Sequence, residues 1–109
     1  MNDELRAEYE KAVDLFAVGK AEEAAAALMS LIERFPDCAD AYESLGMVYY
    51  KMGRIDEAIG WTMKLAQIRP NDAMAHTNLS VFYMKKGMKE KAEEEKALAT
   101  VLKFKNPKK

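Results

Sequence analysis

The sequence predicts an all-α chain built as a solenoid of three stacked helix pairs, and three observations carry that reading. Apolar residues recur at helical spacing, with no alternating strand pattern: Tyr42, Leu45 and Tyr49 share one face, and Ile55, Ala58, Ile59, Leu65 and Ile68 another. Glycines punctuate the chain every 34 residues, at Gly19, Gly53 and Gly87, with Ala24, Ala58 and Ala92 behind them. Pro36 and Pro70 close the first two units. A fixed period of this length marks units that cannot bury their apolar faces alone and so stack, about three being the minimum for stability. The 109 residues form one domain of three repeats, 5–38, 39–72 and 73–106.

Each helix follows from its start and stop signals. Asn2 or Asp3 can cap the first, which ends at Gly19. The second runs from Lys20 to Phe35, favoured by its Ala24–Ala27 run, until Pro36 removes a donor and forces Phe35 out of the α region. Asp37 is expected to cap the third, which ends near Met52, where Gly53 supplies the positive φ of the turn. The fourth reaches Arg69, and Pro70-Asn71-Asp72 both stops it and caps the fifth, which ends at Lys86-Gly87. The sixth starts near Met88 and, with Phe104 where earlier units have proline, continues to about Lys105. Gly46 and Ala58 lack bulk where the two helices of the middle unit cross, so the backbones there are expected to approach closely.

Composition narrows the function. The amino terminus is acidic and has no apolar signal run, and no apolar stretch is long enough to span a membrane. Cys38 is the sole cysteine, which excludes an internal disulfide and suits a reducing compartment; a cytoplasmic location is expected. It reads as a small packing residue, with a reactive thiol as the alternative. The net charge of −1 hides an asymmetry: residues 1–50 hold 4 Lys/Arg against 11 Asp/Glu, a net of −7, and residues 51–109 hold 13 against 7, a net of +6. Such faces are ordinarily solvated surface; the alternatives are steering of a partner or head-to-tail contact between copies.

Chemistry-bearing groups are sparse. His76, the only histidine, stands 34 residues after Tyr42 and reads as a helix-packing residue. Cys38 with His76 is too small a set for a metal, Glu93–Glu95 among Lys91 and Lys96 reads as a solvated face, and no glycine-rich phosphate loop is present. No enzyme, cofactor or metal site is expected. Lys85, Lys86, Lys89, Lys91, Lys103, Lys105, Lys108 and Lys109 are of the type that contacts phosphate, but Glu90 and Glu93–Glu95 interrupt them, so nucleic acid is not the expected partner.

The unit Ala39–Asp72 resembles the tetratricopeptide repeat, with Tyr42 in place of that family's usual Trp, then Leu45-Gly46, Tyr49, Ala58 and Pro70. The first unit departs from it at Lys11, Ala12 and Leu15; the third keeps Leu79 and Tyr83 but has His76, Ser80 and Phe104. The resemblance implies a right-handed superhelix in which the first helix of each unit lines a concave groove. It implies groove positions at Tyr9, Val13 and Phe16, at Met47, Tyr50 and Lys51, and at Met74, Thr77, Val81, Met84 and Lys85. Helical spacing independently puts residues 9, 13 and 16 on one face, and likewise 77, 81 and 84.

Members that bind the acidic tail of heat-shock chaperones use a clamp of Lys, Asn and Arg. The matching places here are Tyr9, Val13, Ser44, Met74 and Asn78, none of them a cation, so that use is not expected. A Met-rich, adaptable lining suits an apolar or amphipathic segment of another protein, with Lys51 and Lys85 at the flanks. The expected function is an adaptor or chaperone-like module, and the alternative is a structural subunit acting through self-association or within a larger assembly. Packing of the groove side chains on one another stays open.

Equivalent places along the second helices change character. Ala25, Leu28 and Ile32 become Ile59, Thr62 and Ala66, then Glu93, Lys96 and Thr100, so the face that would receive a fourth unit turns polar. Conversely Ser30, Glu33 and Pro36 become Lys64, Gln67 and Pro70, then Leu98, Val101 and Phe104. Those three are a candidate homodimer or second-partner patch, unless the tail Asn106–Lys109 or a neighbouring helix covers them.

Overall fold

The computed structural model describes residues 2–105 as six helices, with no strand among them. They are α1 (Asp3–Ala17), α2 (Ala21–Arg34), α3 (Ala39–Lys51), α4 (Ile55–Ile68), α5 (Ala73–Lys85) and α6 (Lys89–Lys105). The helices pack in chain order, each on the next, and α1 also touches α3.

The turns inside the three pairs share one geometry. Gly19, Gly53 and Gly87 have φ of 88°, 79° and 83°, the left-handed conformation that costs glycine least. The amide after each glycine donates back across the helix end: Lys20 to Leu15 O (2.8 Å), Arg54 to Tyr49 O (2.9 Å) and Met88 to Tyr83 O (2.9 Å). This is the Schellman pattern, and it satisfies the carbonyls that a helix end orphans.

The helix starts are less uniform. Asn2 caps α1, its side chain accepting from the Leu5 amide at 2.7 Å. Asp72 caps α5, accepting from the Met74 amide at 2.9 Å. The expected cap by Asp37 does not form. The residue that enters α3 is Cys38, at the repeat position of Asp72, and α3 has no side-chain cap. Asp37 stands one residue too early.

The crossing in the middle unit is as tight as its small residues imply. A Cβ added to Gly46 would lie 2.5 Å from Thr62 Oγ1 and 3.6 Å from the Ala58 carbonyl. Thr62 is buried, and its hydroxyl donates to Ala58 O at 2.8 Å, so no polar group is stranded there. Leu45, Ala58 and Val48 are sealed in the main core with Leu28, Leu79 and Phe82. A smaller cluster gathers Ala39, Tyr42, Leu65 and Ala75, where the Tyr42 hydroxyl donates to Pro36 O at 2.8 Å.

His76 sits between two helices, as its repeat position implies, and does so through a polar contact. It is half-buried, and its Nδ1 lies 2.7 Å from Glu95 Oε1, tying α5 to α6. Glu95 accordingly leaves the solvated face expected for Glu93–Glu95. At 100° per residue it follows Ala92 and precedes Ala99, both buried, whereas Glu93 and Glu94 are exposed.

Candidate protein-binding surface

Each first helix has three faces with different fates. In α3, Tyr42, Gly46 and Tyr49 turn toward α4, and Ala41, Leu45 and Val48 are buried in the core that includes Leu28 of α2. The remaining face carries Glu43, Met47 and Tyr50, all half-buried, and the corresponding faces of α1 and α5 carry the other groove candidates.

The eleven candidates fall into two groups. Tyr9, Phe16, Met47 and Tyr50 are half-buried and pack against the core. The Tyr9 hydroxyl lies 2.7 Å from Ser44 Oγ, joining α1 to α3, and the Tyr50 ring stacks on Phe82 with centroids 4.9 Å apart, joining α3 to α5. Such ring pairs contribute about 0.5–1.5 kcal/mol beyond their area. In the second group, Val13, Met74, Val81 and Met84 are exposed, as are Lys51 and Lys85, and Thr77 is half-buried. Met84 occupies the repeat position of Tyr50 and is 52% exposed, because no further helix beyond α6 supplies the counterpart of Phe82 among the described residues.

Glu43 was missed by the sequence reading, although it sits 34 residues from both Tyr9 and Thr77, a signal that was available. Burial pushes its carboxyl above the ordinary range, with Asp72 and Asp40 adding to the rise and Arg69 opposing it. Burial likewise raises Tyr9, which Ser44 partly offsets and Asp40 and Glu43 reinforce. The α1–α3 part of this face is therefore electronegative, while Lys51 and Lys85 make the other ends of α3 and α5 basic.

A second apolar surface lies on α6. Leu98, Val101 and Phe104 are 42%, 48% and 85% exposed, so no neighbouring helix covers them. The tail Asn106–Lys109, the other expected cover, lies outside the described residues. A recess of about 440 Å³ opens where α2 meets α3, lined by Arg34, Pro36, Cys38, Asp40 and Arg69. Its Arg34 is already engaged by Glu4 and Glu8, and Cys38 is half-buried. Among the described residues no cluster of three or more His, Cys, Asp or Glu could hold a metal, and no helix is long and apolar enough to cross a membrane.

Known proteins share this architecture. The family profile described as tetratricopeptide repeat matches residues 9–73. No curated protein matches the sequence significantly. The crystal structure of MamA superposes with a TM-score of 0.91 at 30% identity over 96% of this chain, which spans 61% of the MamA chain. The type III secretion translocator chaperone SycD of Yersinia enterocolitica gives a TM-score of 0.90 at 23% identity, covering 99% of this chain and 82% of SycD. The second such domain of Spaghetti (RPAP3), bound to the HSP90 peptide SRMEEVD, gives 0.83 at 17% identity, covering 92% of this chain and 93% of that one. The last two likenesses bear on the fold alone.

Proposed function

Because this chain belongs to the tetratricopeptide-repeat family, whose solenoids are protein-interaction modules, we propose that the free faces of α1, α3 and α5 bind an apolar or amphipathic segment of another protein. The observation that carries the proposal is a band of exposed apolar side chains, Val13, Met74, Val81 and Met84, beside half-buried Tyr9, Met47 and Tyr50. Large apolar groups left in water on one face gain most from a partner that covers them, and methionines adapt to its shape. The role that follows is an adaptor or chaperone-like module, and the lone half-buried Cys38 suits a reducing cytoplasmic setting.

An acidic tail such as the peptide held by Spaghetti is the wrong ligand for this surface. None of the five places Tyr9, Val13, Ser44, Met74 and Asn78 is a cation, Ser44 is taken by Tyr9, and Glu43 repels carboxylates. The test is selection from a displayed peptide library, followed by affinity measurements on Val81→Glu with Met84→Glu. Both positions are about half exposed, so helicity should persist while binding of apolar peptides is lost. Tyr50→Glu with Met84→Glu is a less clean pair, since Tyr50 also packs on Phe82. Selection of acidic peptides, or unchanged affinity in the Val81 and Met84 variant, refutes the proposal.

A second reading has its own observation. The exposed Leu98, Val101 and Phe104 on α6 support a structural subunit that dimerises or joins a larger assembly through that face. A wild type that stays monomeric at high concentration in high salt removes the dimer form of it.

A further inference from the structure

The two ends of the stack carry surfaces that correspond, position for position, to the surfaces buried between units. Inside the molecule, α3 presents Ala41, Leu45 and Val48 to the preceding unit, and α5 presents Ala75, Leu79 and Phe82; all six are buried. One repeat earlier, on α1, the same positions hold Ala7, Lys11 and Asp14, all exposed, with Asp3 and Glu10 on the same side. At the other end, the positions of Ala25, Leu28 and Ile32 hold Glu93, Lys96 and Thr100 on α6, all exposed, flanked by exposed Lys89 and Lys103.

These end faces are opposite in sign. The α1 face has three carboxylates and one ammonium, and the α6 face three ammoniums and one carboxylate. None of the eight forms an ion pair among the described residues. Internal contacts give the register in which such faces meet: Lys86 Nζ lies 2.5 Å from Asp56 Oδ1, so the end of α5 adjoins the start of α4 and the two run antiparallel across the boundary. Carried to a second copy by the 34-residue repeat, that register sets Glu10 near the level of Lys96 and Asp3 near Lys103. Asp14 comes within about 7–8 Å along the axis of Lys89, inside the joint reach of the two side chains, and the two minority charges, Lys11 and Glu93, come within about 6 Å of each other.

We infer that a second copy of this chain docks head to tail, its α1 on α6 of the first, continuing the stack through a polar contact. The wider charge distribution acts in the same sense. Residues 1–50 carry −7 and residues 51–109 carry +6, so copies are steered end to end before they touch. The contact is heterologous and does not close, so it propagates as an open row. With only polar side chains at the centre of the α6 face the contact is weak and salt-sensitive; Leu98 and Val101 lie on another side of that helix, and Phe104 borders the face at its carboxy-terminal end.

The test is light scattering or sedimentation of the 109-residue chain, 12.3 kDa, across ionic strength. At about 10 mM salt, where the Debye length is about 30 Å, the mean mass should climb with protein concentration past twice the monomer without a plateau. At about 0.5 M salt, where the screening length is roughly 4 Å, it should return to the monomer. Glu10→Lys with Asp14→Lys, and separately Lys89→Glu with Lys96→Glu, should each be monomeric in low salt, and an equimolar mixture of the two should associate again. All four sites are exposed, so the variants should keep wild-type helicity; should either misfold, the wild-type salt series decides alone. A wild type monomeric in low salt, an association that survives or grows in high salt, or a mixture that stays monomeric overturns the inference.

Discussion

The middle and last helix pairs share a backbone and differ in what surrounds them. Along α4, Ile59 and Thr62 are buried and Ala66 is half-buried under α5; along α6, Glu93, Lys96 and Thr100 stand at the same three places and are exposed. Along α3, Tyr50 finds Phe82 of the next unit, whereas Met84, its counterpart on α5, meets solvent. Burial at a repeat position is thus set by the neighbouring unit, and a residue's cost or benefit there cannot be assigned from its own helix alone.

The largest effect that would break this comparison is an exchange between the two units. Thr62→Lys places an ammonium where the residue is 1% exposed, and it should cost about 3–5 kcal/mol in denaturant unfolding. Lys96→Thr, the reverse change at the equivalent exposed site, should stay within about 0.5 kcal/mol. Equal costs would mean that Lys96 is covered in the folded protein. Ala58→Arg, in the same sealed crossing, should lower the melting temperature by many degrees, and an unchanged melting curve would refute the packing.

Gly46→Leu sharpens the comparison. Its Cβ alone would sit 2.5 Å from Thr62 Oγ1, whose hydroxyl is fixed on Ala58 O, so overpacking of roughly 1–3 kcal/mol is expected by chemical denaturation. The last unit has half-buried Ser80 at that place, so Ser80→Ala should cost less.

Glu43→Gln is the smallest change and has a pH signature. Because the folded carboxyl is raised above its ordinary 4.5, the stability it lends is whole below that value and is lost as pH rises through the folded pKa. Glutamine should therefore raise the melting temperature slightly at pH 7 and make little difference under acid conditions. A variant less stable at pH 7 would mean that Glu43 has a favourable partner in the free protein.

Much of this was legible in the sequence, and the parts that were not share a cause. The helices, the glycine turns and the Gly46–Ala58 crossing depend on contacts within one unit, where spacing determines which residues meet. The Tyr50–Phe82 stack, the Tyr9–Ser44 bond and the placement of Glu43 beside Asp72 depend on the rotation of one unit on the next, which periodicity does not specify. The repeat places His76 at a helix-packing position but does not name its partner, and only the α5–α6 packing brings Glu95 to 2.7 Å from it. Asp37 fails as a cap for a local reason: α3 starts one residue later than the Pro36 signal suggested.

The central claim, that the free faces of α1, α3 and α5 form the binding surface, is tested most directly by nuclear magnetic resonance. A library-selected apolar peptide is titrated into the labelled chain while backbone amides are followed. Shifts concentrated at Val13, Met47, Met74, Val81 and Met84 are the predicted result, with α2, α4 and the outer side of α6 little changed. Shifts centred instead on Leu98, Val101 and Phe104 would contradict the claim and move the binding surface to α6.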